Sequence, residues 1–166
     1  MSTAEQTATQ LSELFQRFLR LQPHFATPEH IVCFQKQMDS LRDSPGSIED
    51  YHFLFRIFII LADSQTPPTM GELSANLSVP LSTATRIVNW LVRANFVERI
   101  QDPNDRRLVR VQMSESGQQL YRLNVEYNRQ RIRYLLEHFS SEEQQQLLKL
   151  SGKLLDVLLA ESQQPN

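Results

Sequence analysis

Glycine occurs only four times and proline eight times in 166 residues, and a chain so poor in both makes few tight turns. That scarcity excludes a sandwich of many short strands and predicts long helices. The single cysteine, Cys33, excludes an internal disulfide framework and any zinc site built from cysteine pairs, and fits the reducing cytoplasm. Long apolar runs are also missing. The longest, residues 57–62, has six members, against the roughly 20 that cross a bilayer, so no membrane span is expected. No Lys or Arg precedes Arg17, so the basic region of a secretory signal is not seen.

Chemical signatures are equally sparse. Gly46, Gly71, Gly117 and Gly152 are too scattered for a phosphate-cradling loop. His24, His30, His52 and His138 lack metal-ligand spacing, and serine hydrolase, kinase and CxxC patterns are absent. The expectation is a protein that is not an enzyme and uses no cofactor and no metal. Charge of one sign is lacking too: 17 basic and 19 acidic residues leave a net charge of −2. That excludes coating nucleic acid by bulk charge, but not a local basic footprint.

What is present is helical periodicity. Leu11, Leu14, Phe15 and Phe18 recur at helical spacing and predict a first helix over residues 4–21. Thr27, Pro28 and Glu29 read as the start of a second, running to about residue 41. The turn RDSPG follows, and Ser47 with Asp50 resembles the cap of a third helix to residue 62. That helix is so apolar that neighbours should wrap it on nearly all sides. Cys33, between Val32 and Phe34, is expected to be buried and inert, despite His30 and Lys36 one turn away.

Thr69 and Glu72 form a capping-box pattern before a short helix over 70–77. Pro80 suits the first position of a longer helix over 80–92, with Ala84, Ile87, Val88 and Leu91 on one face. Alternating runs at 96–100 and 108–113 predict two hairpin strands joined by QDPNDRR, with Asp102 and Pro103 opening a type I turn. Helices over 116–139 and 141–160 close the chain, the last carrying Leu147, Leu150, Leu154, Val157 and Leu158 as an apolar stripe. The fold class is therefore mainly α with a small β-hairpin wing. It divides into N-terminal dimerisation helices (1–47), a winged helix-turn-helix DNA-binding core (48–117), and C-terminal dimerisation helices with a short tail (118–166). Broad apolar stripes near both ends predict a homodimer.

A short helix, a turn, an amphipathic helix and a basic-tipped hairpin together suit duplex DNA. The polar side of the longer helix displays Ser82, Thr83, Arg86, Asn89 and Arg93, residue types that read bases and hold phosphates. An ordinary solvated helix face carries similar residues. The hairpin adds weight: Arg99, Arg106, Arg107 and Arg110 outnumber Asp102 and Asp105 by two in a chain whose total is negative.

Residues 70–117, MGELSANLSVPLSTATRIVNWLVRANFVERIQDPNDRRLVRVQMSESG, resemble the DNA-binding core of the MarR family of transcriptional regulators. The most specific part is DPNDRRLVRVQMSESG, which resembles the family's wing signature DxRxxxVxLTxxG with Asp105, Arg107, Val111, Ser114 and Gly117 in register. The resemblance implies that Arg107 enters a minor groove, that Asp105 orients it, and that residues 80–92 are the recognition helix. A narrow A·T-rich groove concentrates negative potential, and arginine sheds its water more readily than lysine does. Met113 and Ser114 replace the family's Leu and Thr. Asn95 stands where glycine often follows the recognition helix, and asparagine accepts the left-handed conformation needed there. Pro80 is a further departure and removes one amide that could have met a phosphate.

The resemblance also implies control by a small aromatic or phenolic effector, or by an oxidant. Tyr51, His52, Phe55 and Arg56 are the candidate effector residues, although such a helix edge more often simply faces solvent or a partner helix. The resulting expectation is a repressor that binds a pseudo-palindromic double-stranded DNA site as a homodimer. The alternative is a winged-helix module that docks protein without sequence-specific DNA binding.

Overall fold

The computed structural model describes residues 3–21, 29–39 and 48–162. In chain order the elements are α1 (Thr3–Leu21), α2 (Glu29–Asp39), α3 (Ile48–Asp63), α4 (Met70–Leu77), α5 (Leu81–Arg93), β1 (Val97–Gln101), β2 (Val109–Met113), α6 (Glu115–Leu136) and α7 (Ser141–Ser162). The RDSPG turn, the Ser47 cap and the C-terminal tail lie outside the described residues. No helix among those described is long and apolar enough to cross a membrane.

The Thr69 capping box opens α4. The Thr69 backbone N–H donates to the Glu72 carboxylate at 2.7 Å, and the Glu72 N–H donates to the Thr69 hydroxyl at 3.3 Å, which satisfies donors that a helix start leaves without partners. At the other end Ser78 adopts a left-handed φ of 56°. This lets the N–H groups of Ser78 and Val79 reach back to the carbonyls of Ala75 and Ser74. Asn95 closes α5 in the same way with φ 59°, its own N–H donating to Val92 and that of Phe96 to Leu91. Both helices thus end in the tight left-handed closure usually given to glycine. Pro80 caps α5 from outside rather than serving as its first residue, and its carbonyl accepts the Ala84 N–H.

The hairpin is antiparallel, with Val97 paired to Met113 and Gln101 to Val109. The segment before α4 adds to it, because the Val111 N–H donates to the Pro68 carbonyl at 2.8 Å and Thr69 bridges Arg110. β1 begins one residue later than the apolar run predicts, since Phe96 has already used its N–H to close α5.

The core lies where α3, α4, α5, the hairpin and the start of α6 meet, with Phe34 contributed by α2. Phe34 stands 5.0 Å from Phe96, 5.5 Å from Phe55 and 6.3 Å from Phe58, ring centre to ring centre. These tilted and edge-on arrangements suit aromatic quadrupoles. Two expectations need correction. Cys33 is exposed, because Phe34 takes the core-facing position and the next residue round the helix points away. α3 is not wrapped on all sides, for Ile57, Phe58 and Leu61 are buried while Ile59 is 49% exposed. Apolar side chains on α1 and α7, among them Leu14, Phe15, Leu150 and Leu154, also stand exposed.

Candidate nucleic-acid interface

α5 is divided cleanly by its own periodicity. Ala84, Ile87, Val88, Trp90 and Leu91 are buried against the core, fixing the helix so that the opposite side faces outward. Ser82, Arg86, Asn89 and Arg93 are exposed there at spacings of four, three and four residues, one straight stripe on a helix. Thr83 lies on its flank, half-buried. The Arg86 guanidinium rests 5.0 Å from the centre of the Trp90 ring, a cation–π contact that orients it along the helix. Leu81 stands 53% exposed at the start of α5, a site residue that the sequence pattern does not single out.

At the far end of the hairpin, the Arg107 side chain is 91% exposed. Its Nε donates to the Asp105 carboxylate at 3.2 Å and its backbone N–H to the same oxygen at 3.0 Å. Asp105 is itself 39% exposed, so the pair adds little stability; its effect is to orient the guanidinium. Arg99 and Arg106 are also exposed.

Arg110 differs from its neighbours. Its side chain is 18% exposed and turns inward, where Nε donates to Asp102 and Nη1 donates to the Pro67 carbonyl at 2.7 Å. Glu72 lies 3.8 Å away. The basic footprint of the wing is therefore smaller than the count of arginines suggests. Asp102, 6% exposed, also accepts the N–H groups of Asn104 and Asp105 at 2.7 and 2.9 Å, forming the turn that Asp102 and Pro103 foretell. The Arg110 guanidinium, followed by those two amides, holds the Asp102 carboxyl below its ordinary pKa. The Glu72 carboxyl is likewise lowered, first by the Thr69 backbone N–H and then by its hydroxyl.

Ser114 braces the base of the hairpin. Its hydroxyl donates to the Asn95 carbonyl at 2.5 Å and accepts the Gly117 N–H at 3.1 Å, fastening the end of α5 to the first turn of α6. Elsewhere, Phe55 packs its ring against Phe34 and Phe58, and Arg56 is exposed. The side chains of Tyr51 and His52 lie outside the described ones. Among the described residues no group of three or more His, Cys, Asp or Glu is placed to hold a metal ion.

A helix-turn-helix followed by a hairpin whose tip carries an outward arginine matches a known sequence pattern: residues 54–109 fit the MarR family. The likeness covers about a third of the chain, from within α3 to the start of β2. The chain's curated relatives include the uncharacterized HTH-type transcriptional regulator YsmB of Bacillus subtilis, 30% identical over 90 residues, which cover 52% of this chain and 62% of YsmB. The transcriptional repressor MprA of Escherichia coli is 32% identical over 88 residues, covering 53% of this chain and 50% of MprA. The matched stretch thus spans between half and two thirds of these relatives. The fold extends further than the sequence likeness. Streptococcus pneumoniae FabT, whose crystal structure is in complex with DNA, superposes with a TM-score of 0.61 at 22% identity, covering 95% of this chain and 98% of FabT. Asp105 and Arg107 sit on the hairpin of this MarR-type core.

Proposed function

We propose that the chain is a cytoplasmic transcriptional regulator that binds double-stranded DNA sequence-specifically, as a homodimer on a pseudo-palindromic operator, and acts as a repressor. The observation that carries this reading is the pairing of two outward-facing elements: the stripe Ser82, Arg86, Asn89 and Arg93 on α5, and Arg107 at the wing tip. A helix of that width fits the major groove, where arginine grips guanine and asparagine grips adenine. Leu81 adds an apolar contact of the kind a thymine methyl accepts. An arginine held out on a hairpin suits the adjacent minor groove, whose narrow A·T stretches attract it by potential alone.

The exposed apolar faces of α1 and α7 support a second copy as the partner, since a large uncovered apolar face on a single chain marks an interaction surface. Two-fold symmetry then places the recognition helices about 34 to 36 Å apart, one turn of DNA. A small aromatic or phenolic effector that altered this spacing would lower affinity without touching a DNA-contacting residue.

Selection of bound duplexes from a random pool tests the proposal, run for the wild type and Arg107→Ala at two salt concentrations. A two-fold-symmetric site should emerge, and Arg107→Ala should weaken it by about 1 to 3 kcal/mol. Failure to enrich any duplex even at low salt would sink it in favour of a module that docks protein.

A further inference from the structure

A continuous path of hydrogen bonds runs from the start of α4 to the exposed wing arginine. It begins at Arg110, whose Nη1 donates to the Pro67 carbonyl at 2.7 Å and whose Nε donates to Asp102. The second oxygen of Asp102 accepts the N–H groups of Asn104 and Asp105. The Asp105 carboxylate then accepts from Arg107 at 3.0 and 3.2 Å. Each member holds the next. The path starts on a largely buried side chain and ends on one that is 91% exposed.

A two-stranded hairpin is marginally stable by itself, so something outside it must set the direction of its tip. Backbone bonds from Pro68 and Thr69 reach Val111 and Arg110 within β2 and stop short of the tip loop. Within the tip loop, the Asp102 N–H donates to the Leu108 carbonyl, and the Leu108 N–H to the Asp105 carbonyl. These bonds shape the loop but do not join it to α4. Arg110 does, because it alone in this path touches both the segment before α4 and the residue that organises the loop. An exposed arginine otherwise gives up much rotamer freedom when it enters a groove, and holding it beforehand lowers that cost.

We propose that Arg110 is a positioning residue for DNA binding. It fixes the pitch of the wing against α4 and, through Asp102 and Asp105, presents Arg107 to the minor groove. It does this without contacting DNA. The proposal rests on the DNA-binding reading above.

A double-mutant cycle on the selected duplex tests it, with wild type, Arg107→Ala, Arg110→Met and the double variant. Arg107→Ala should weaken binding about tenfold. Arg110→Met should lose most of that factor, and the double variant should bind no more weakly than Arg107→Ala. Because Arg110→Met displaces the Arg107 cation from the DNA although Arg110 itself touches none, its salt dependence should fall by about one unit of slope, as for Arg107→Ala. Arg110→Lys, which keeps the charge but not the fork of donors, should restore binding in part. A merely structural role predicts instead that the two losses multiply, and multiplication would overturn the proposal. So would unchanged binding by Arg110→Met. Should Arg110→Met fail to fold, Asp102→Asn cuts the same path with a side chain of equal size and is judged by the same cycle. Failure of the DNA reading is visible separately, in a wild type that enriches no duplex, and that result overturns both.

Discussion

Gly117 lies so close to Phe96 that a Cβ on it would stand 1.9 Å from the Phe96 carbonyl oxygen. The obstacle is backbone, and that carbonyl is held in place by the Ser114 N–H at 3.1 Å, so it cannot swing aside as a flexible side chain would. Gly117→Ala should therefore force α6 away from the end of α5, at a cost of about 3 kcal/mol or more. In a chain of this size that lowers the melting temperature by about 6 to 12 °C. An unchanged melting temperature would mean that the two segments are not in close contact.

Much of the core was legible because its signals are local. The Thr69 and Glu72 cap and the alternation of the two hairpin strands are legible within a few neighbouring positions, whereas the left-handed Asn95 follows from the family resemblance. Gly117 was legible only as part of a motif, since the carbonyl that excludes a side chain comes from a residue 21 positions earlier and only the folded chain brings them together. Arg110 shows the same limit: strand alternation places it on the polar side, and nothing in the sequence says that Asp102 and the Pro67 carbonyl await it there. The apolar residues flanking Cys33 suggest burial, but on a helix adjacent residues point about 100° apart, and it is Phe34 that faces the core. The apolar stripes of α1 and α7 follow directly from spacing, and both stand exposed in the chain.

Asp102 makes stability depend on acid in a definite direction. Its carboxyl is held below the ordinary value by Arg110 and two amides, so the folded state favours the charged form. That contribution is complete above the unfolded value of about 3.9 and is lost as pH falls through the lower folded value. The melting temperatures of wild type and Asp102→Asn should differ by a constant amount from about pH 7 to pH 5, then converge below about pH 4. Glu72 and Glu143 are also held low by their caps, but both proteins retain them, so the difference isolates Asp102. A gap that stays constant to pH 2 would show that the carboxylate is not paired.

Trp90 is the only tryptophan in the chain, and the Arg86 guanidinium lies 5.0 Å from its ring centre. A cation over an indole influences its emission, and Arg86 must leave the ring to reach a base. Adding the selected duplex should therefore change Trp90 fluorescence in the wild type. In Arg86→Gln the change should be absent while weaker binding remains detectable by a labelled duplex. The same change in both proteins would mean that Arg86 stays where it is.

The apolar face of α7 carries Leu147, Leu150, Leu154 and Leu158 at successive helical turns, all exposed in the single chain. Burying a leucine yields about 1.5 to 3 kcal/mol, so a few such residues covered by a second copy suffice for a stable dimer. Replacing Leu154 and Leu158 together by glutamate places two charges where that cover would lie, and a buried unpaired charge is far costlier than a lost methyl group. Sedimentation equilibrium should report twice the chain mass for the wild type and the chain mass for Leu154→Glu/Leu158→Glu. The winged-helix core does not include α7, so its fold and its half-site contacts should survive. What is lost is the second half-site made local by the first, and affinity for the full operator should fall by about a hundredfold or more, while affinity for an isolated half-site should hardly move. Equal losses on both duplexes would point to damage within the core, and a variant that remains dimeric would place the interface elsewhere on the chain.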